Sequence, residues 1–136
     1  MDPKLGEAHL NVGLVSRAIG DLPEAVTRFR RALEVNPEWV TAMSSLASVL
    51  AAAPDTSVRN PAEAVGLAER AVALTFRRDA NTLDVLAVAH ASNADFDRAV
   101  AVADEALALN PPSSLGDMIR SHRALFARRE PYMAPR

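Results

Sequence analysis

A fixed spacing of 34 residues is the feature that most constrains the fold of this chain. Pro3 and Pro37 stand 34 positions apart, and two helical patterns lie between them on either side of a Gly-Asp turn at 20–21. Residues 80–112 repeat this layout around a turn at 93–95. A period of this length is typical of stacked supersecondary units, so we expect an array of helix pairs.

Small residues recur at matching positions of three units and predict where the two helices of a pair meet. The pairs are Gly13 with Ala25, Ala47 with Ala64, and Ala87 with Ala99. The first and third pairs are 12 positions apart, whereas the middle pair is 17 apart. We expect the five extra residues to lengthen the turn at 54–60, since a longer surface turn costs little closure entropy. Close helix packing then resumes in register.

At these positions the chain resembles the tetratricopeptide repeat, a helix-turn-helix unit with the consensus W-x2-L-G-x2-Y, then A-x3-F, then P. The matching series are His9, Val12, Gly13, Ser16, Ala25, Phe29, Ala32 and Pro37; Met43, Leu46, Ala47, Leu50, Ala64, Ala68 and Ala71; and Leu83, Leu86, Ala87, His90, Ala99, Ala103, Ala106 and Pro111. Most of the large aromatic positions are replaced, and the middle unit has no closing proline. The resemblance implies an all-α fold, a right-handed α-solenoid of three antiparallel helix pairs. Val12, Leu46 and Leu86 are then expected in its core.

The predicted organisation is three repeats within residues 1–112, at about 3–37, 38–78 and 79–111, followed by a capping helix in 113–130 and an extended tail at 131–136. Helices are expected near 4–18, 22–35, 38–52, 61–75, 80–92 and 96–109. The cap is predicted from one apolar face that carries Leu115, Met118, Ile119, His122, Leu125 and Phe126.

Helix starts are also visible in the sequence. Asp21 and Asn60 each precede a Glu by three positions, which is the spacing of a capping box, and Asp95 is suited to start the third outer helix. Asp2 and Asn36, each directly before a proline, are further candidates for helix caps.

Composition excludes several classes of function. The 136 residues carry a net charge of −2, so no basic surface points to nucleic acid. The chain contains no cysteine and no apolar run long enough to span a membrane, and we expect no membrane insertion. The opening MDPKLGEAH is typical of a piece cut from a longer protein. The compartment stays open, with the cytoplasm favoured.

The inventory of catalytic residues is poor. His9, His90 and His122 lie on different predicted helices without a second ligand at metal-binding spacing, so we expect them to pack in the structure. No nucleophile elbow or phosphate-binding loop occurs. We therefore expect no enzyme, metal or cofactor. The arginines at 28, 30, 31, 77 and 78 are expected to be solvated and not to form anion sites.

In tetratricopeptide proteins the first helix of each pair lines a concave groove that holds a segment of another protein. Carried over to this chain, the resemblance implies a groove lined by Leu10, Asn11, Leu14, Arg17, Thr41, Ser44, Ser48, Asn81, Asp84 and Val88. Because Arg17 is the only cation among them, a neutral peptide or partner segment fits better than a terminal carboxylate. The alternatives are a groove without a ligand, a homo-oligomerising unit, or an accessory domain of a larger bacterial enzyme such as a glycosyltransferase.

Overall fold

A computed structural model describes residues 2–135 of the chain. Over that range the chain forms seven helices and no strand, which confirms the all-α prediction. The helices are α1 (Pro3–Ala18), α2 (Leu22–Val35), α3 (Val40–Ala52), α4 (Pro61–Leu74), α5 (Ala80–Ser92), α6 (Phe96–Leu107) and α7 (Ser113–Ala127). The first six agree with the predicted ranges to within two residues at each end, and α7 lies within the range predicted for the cap.

Side-chain caps start most of these helices where the sequence predicts them. Asp21, Asn60 and Asp95 each accept a hydrogen bond from the backbone N–H three residues later, at 3.2–3.3 Å. Asp2 caps α1 in a similar way. The prediction for Asn36 is wrong, because this residue ends α2 and its side chain accepts from the N–H of Glu38 within the following turn. An intervening turn therefore delays the start of α3 to Val40.

The helices pack in the order of the sequence, with each one against the next. In addition, α1 contacts α3, α3 contacts α5, and α5 contacts α7, so the odd-numbered helices form a continuous layer. Within the described part of the chain, the even-numbered helices have no Cα atoms within 8 Å of one another. The architecture is thus repeat-like, while its right-handed twist and the repeat boundaries stay predictions. The predicted limits at residues 1 and 136 lie outside the described residues.

The small residues lie where helices meet. All six members of the predicted pairs are buried, and a Cβ atom added to Gly13 would lie 2.6 Å from Cε1 of Phe29 on α2. Leu46 and Leu86 fill the core as predicted, but Val12 is 40 % exposed. Val12 is exposed because no described helix covers the side of α1 that faces away from α3.

Ion pairs link the outer surface of neighbouring units. Arg30 on α2 donates to both carboxylate oxygens of Glu63 on α4. Arg77, which follows α4, forms the same bidentate contact with Glu105 on α6. The hydrogen bonds to Arg30 lower the pKa of Glu63 below its ordinary value. These two arginines are therefore neutralised by carboxylates, which makes them poor anion sites.

The described helices include none with the combination of length and apolar character needed to cross a bilayer.

Candidate functional site

A cleft of about 1010 Å³ lies between α1, α3, α5 and α7, and the first two residues of α2, Leu22 and Pro23, also line it. Seven of the ten predicted groove residues line it: Leu14, Arg17, Ser44, Ser48, Asn81, Asp84 and Val88. Serines occupy much of the α3 wall, and their small side chains leave the space open. The odd-numbered layer of helices thus brings together side chains that are up to 74 positions apart in the sequence.

The other three predicted residues lie elsewhere. Asn11 and Thr41 are exposed but do not line the cleft. Leu10 is only 8 % exposed and belongs to the hydrophobic core. It lies on the same helical stripe as the buried Gly6 and Gly13, which face α2, and is not free to touch a ligand.

A buried polar pair forms the floor of the cleft. Nδ1 of His122 on α7 lies 2.9 Å from Oδ1 of Asp84 on α5, and both side chains are at least nine-tenths buried. In this contact an imidazole N–H donates and a carboxylate oxygen accepts. The pair satisfies two polar groups in a position where either one alone would carry a desolvation penalty. It also fixes the orientation of the imidazole ring.

The C-terminal tail, residues 131–135, runs back across this cleft. Tyr132 packs on His122 with ring centroids 4.4 Å apart, and the backbone N–H of Ala134 donates a 2.8 Å hydrogen bond to the carbonyl of Ala52 at the end of α3. Tyr132, Ala134 and Pro135 line the cleft together with the helices. The sequence predicts an extended tail, but it does not predict this docking.

The lengthened turn supplies another wall. Pro54, Asp55 and Val58 line the cleft, and Val58 packs against the core. The turn is closed by a 2.7 Å hydrogen bond from the N–H of Asn60 to the carbonyl of Leu50. The five extra residues therefore extend the concave surface beyond what a shorter turn reaches.

Arg17 brings the positive charge at the edge of the cleft. The surrounding protein lowers the pKa of its guanidinium below the ordinary value by desolvation, and the nearby phenol of Tyr132 opposes that shift. Within residues 2–135 no carboxylate lies within ion-pair distance of Arg17. An arginine stays charged throughout the physiological range, so this side chain is available to donate hydrogen bonds to an acceptor group of a ligand.

The remaining histidines have separate environments. His90 is 5 % exposed within α5, and burial lowers its pKa below the ordinary value. Nδ1 of His9 lies 3.2 Å from Nη1 of Arg28. No group of three or more His, Asp or Glu side chains in the described range is arranged to hold a metal ion.

Comparison of the chain with models of known protein families gives no match, and comparison with curated proteins gives none either.

Three features of the site are missing from the sequence-based prediction: the pairing of Asp84 with His122, the docked Tyr132, and the wall built by the turn. The first two depend on α7 returning to the odd-numbered layer, and no local spacing encodes that. The sequence feature that could have indicated docking of the tail is its aromatic residue, Tyr132, which directly follows Pro131.

Proposed function

We propose that this chain is a non-catalytic protein-interaction domain of the tetratricopeptide type, which holds an extended segment of a partner protein in the cleft. The contacts among helices support this architecture. The odd-numbered helices approach one another across neighbouring pairs and the even-numbered ones do not. A stack of pairs with this difference curves toward its odd-numbered side, which makes the cleft side concave.

The observation that carries the proposal is the composition of the cleft walls. Five helices contribute side chains, and the lining mixes hydroxyl, amide and aliphatic groups with few charges. Ser48 and Asn81 supply polar groups, while Leu14 and Val88 supply apolar surface. An extended peptide needs both polar and apolar groups, because its backbone forms hydrogen bonds and its side chains pack against small apolar surfaces.

Charge favours a neutral segment. Asp84 is bound to His122. Arg17, at the edge of the cleft, therefore has no carboxylate partner in the described range. A single cation binds a terminal carboxylate less well than a cluster of donors does. A backbone carbonyl or a side-chain amide of the partner is a sufficient acceptor for it.

Hydrolysis is less well supported than binding. The Asp84 and His122 pair has the polarity of a catalytic dyad, and serines line the same cleft. However, Oγ of Ser44 is buried and has no hydrogen-bond partner among the described residues, so it does not form the serine–histidine bond that activates a nucleophile.

Peptide binding can be tested with an array of random ten-residue peptides and a variant that fills the cleft. Asn81 is exposed on the cleft wall, so Asn81→Trp is expected to weaken binding of the selected peptides by about tenfold or more, equivalent to about 1.4 kcal/mol. Arg31→Trp, an exposed change on α2 away from the cleft, serves as the control and is expected to bind normally. Equal binding by both variants, or no binding by the parent chain, contradicts the proposal.

One observation favours self-association as a second function. One side of α1 carries Leu5, Val12 and Val15 at helical spacing, and Ile19 directly follows the helix. These four side chains are 40–76 % exposed. This apolar surface fits a second copy of the chain or a further helix pair of a larger bacterial protein, such as a glycosyltransferase. Sedimentation velocity distinguishes the two-copy case. We expect the sedimentation coefficient to rise with concentration, and Val15→Glu to remove that rise; a monomer at all concentrations contradicts it.

A further inference from the structure

The docked tail has the form of a bound peptide. Exposure alternates along residues 131–135, with Tyr132 and Ala134 half-buried and the three neighbours exposed. A period of two is the signature of an extended segment with one face on a surface. The tail therefore buries Tyr132 and Ala134 more than their neighbours, although Pro135 also lines the cleft and the sulfur of Met133 contacts Arg59.

Of the two half-buried tail residues, Tyr132 has the more extensive contacts with the cleft. Its ring is tilted by 50° to that of His122, and His122 in turn lies next to Phe126 with ring centroids 6.2 Å apart. Asp84 holds the imidazole through its Nδ1 atom. An aromatic platform that is already fixed by these contacts accepts another ring at little entropic cost, because the platform does not have to be ordered on binding.

The backbone contact sets the position of the second residue. The N–H of Ala134 reaches the carbonyl of Ala52, which is left free at the end of α3. In addition, Nη1 of Arg59 lies 3.3 Å from both the sulfur of Met133 and the carbonyl oxygen of Ala53. The lengthened turn thus contacts the tail through Arg59, while the end of α3 accepts a hydrogen bond from it at the Ala52 carbonyl.

We propose that the tail is an internal ligand of the cleft, and that partner segments share its pattern: an extended stretch in which an aromatic residue precedes a small residue by two positions. This inference rests on the proposed peptide-binding function. The aromatic side chain of the partner replaces Tyr132 on His122, and the N–H two residues later replaces that of Ala134 at the Ala52 carbonyl. A partner binds by displacing the tail.

Competition within one chain lowers the apparent affinity for any partner. The tail is joined to α7 through only Arg128, Arg129 and Glu130, and a short connection gives an effective concentration of about millimolar or higher. A weak internal contact can therefore occupy the cleft most of the time. Loosening the tail is expected to strengthen binding of an added peptide without changing any cleft wall.

The experiment uses a fluorescent peptide of residues 129–136, REPYMAPR, added to the 136-residue chain and followed by fluorescence anisotropy. We expect weak binding to the parent chain and about tenfold tighter binding to Tyr132→Ala, whose own tail no longer competes. Ala134→Pro, which removes the N–H donor and leaves the ring, is expected to tighten binding by a smaller factor of about threefold to fivefold. Tyr132→Phe keeps the ring and is expected to match the parent chain. A peptide with Tyr replaced by Ala is expected not to bind.

Equal binding of the peptide to the parent chain and to both tail-loosening variants overturns the inference, as does no binding to any of them. The array experiment separates this failure from failure of the proposed function. If array peptides bind in a manner sensitive to Asn81→Trp while REPYMAPR does not bind, the cleft is a peptide site and the tail is not its ligand. If neither the array peptides nor REPYMAPR bind, both the peptide-binding function and the internal-ligand proposal are contradicted.

Discussion

Gly13 shows at the scale of single residues how the absence of one atom permits two helices to meet. A Cβ atom there would lie 2.6 Å from the ring of Phe29, which is completely buried and has little room to move. We predict that Gly13→Ala lowers the free energy of unfolding by about 2 kcal/mol, as over-packing exceeds the gain in helix propensity. Urea denaturation measures the change.

Gly66 is the matched control, because it also lies within a helix but has no atom within 4 Å of an added Cβ. Gly66→Ala is expected to raise the free energy of unfolding by up to about 1 kcal/mol. Opposite signs for the two substitutions support the close contact of α1 with α2. A stabilising effect of both contradicts it.

His90 makes stability depend on pH. Burial lowers its pKa in the folded chain, with Arg98 adding to the shift and the carboxylates of Asp95 and Glu69 opposing it. The unfolded chain, with an ordinary pKa of about 6.5, therefore takes up a proton at higher pH than the folded chain does. The stability present above pH 6.5 is lost as pH falls from about 6.5 toward the lower folded pKa.

We predict that His90→Leu reduces the loss of unfolding free energy between about pH 7.5 and pH 5, measured by urea denaturation at several pH values. The other two histidines are present in both proteins, so the difference between their pH profiles isolates His90. Identical profiles show that the imidazole of His90 is solvated in the folded state.

At the scale of elements, α7 closes the odd-numbered layer and positions the tail. Phe126 on α7 is 1 % exposed, whereas Phe76, in the turn after α4, is 79 % exposed. We predict that Phe126→Ala lowers the free energy of unfolding by about 3 kcal/mol and that Phe76→Ala changes it by less than about 0.5 kcal/mol. Thermal or urea unfolding of the two variants tests this, and similar costs for both indicate that α7 does not pack as described.

The elements were predictable from sequence and the shape of the site was not. Capping residues and small-residue spacing are local signals, so they predict helix ranges and the lengthened turn well. The role of that turn as a cleft wall depends on where Pro54 and Val58 face after folding. Likewise, the contact of Asp84 with His122 joins residues 38 positions apart, and that distance is fixed only by the packing of α5 against α7.

Position along the helix explains the difference for single groove residues. Leu10 and Leu14 lie four positions apart, on the same face of α1. The resemblance assigned both to the groove, but the structure places Leu10 in the core, and only Leu14, one turn nearer the end of α1, lines the cleft. Val12 differs for another reason, because α1 packs only against α2 and α3 within the described chain and its opposite side is uncovered.

At the scale of the whole molecule, the two sides of the stack have different chemistry. Charged pairs such as Arg30 with Glu63 and Arg77 with Glu105 link the units on the outer side. The cleft side carries hydroxyl, amide and aromatic groups, and the tail crosses it. This division predicts that partners approach from the side of the odd-numbered helices.

The most direct test of this claim is an NMR titration of the isotope-labelled chain with the tightest peptide from the array. We predict that backbone amide signals shift most at Arg17, Ser48 and Asn81, and that signals of the tail move toward the positions of a free peptide. Amides on the outer side, such as those of Arg31 and Glu105, are expected to stay in place. Shifts confined to the outer helices, or to the exposed apolar side of α1 at Leu5 and Val15, would contradict the account.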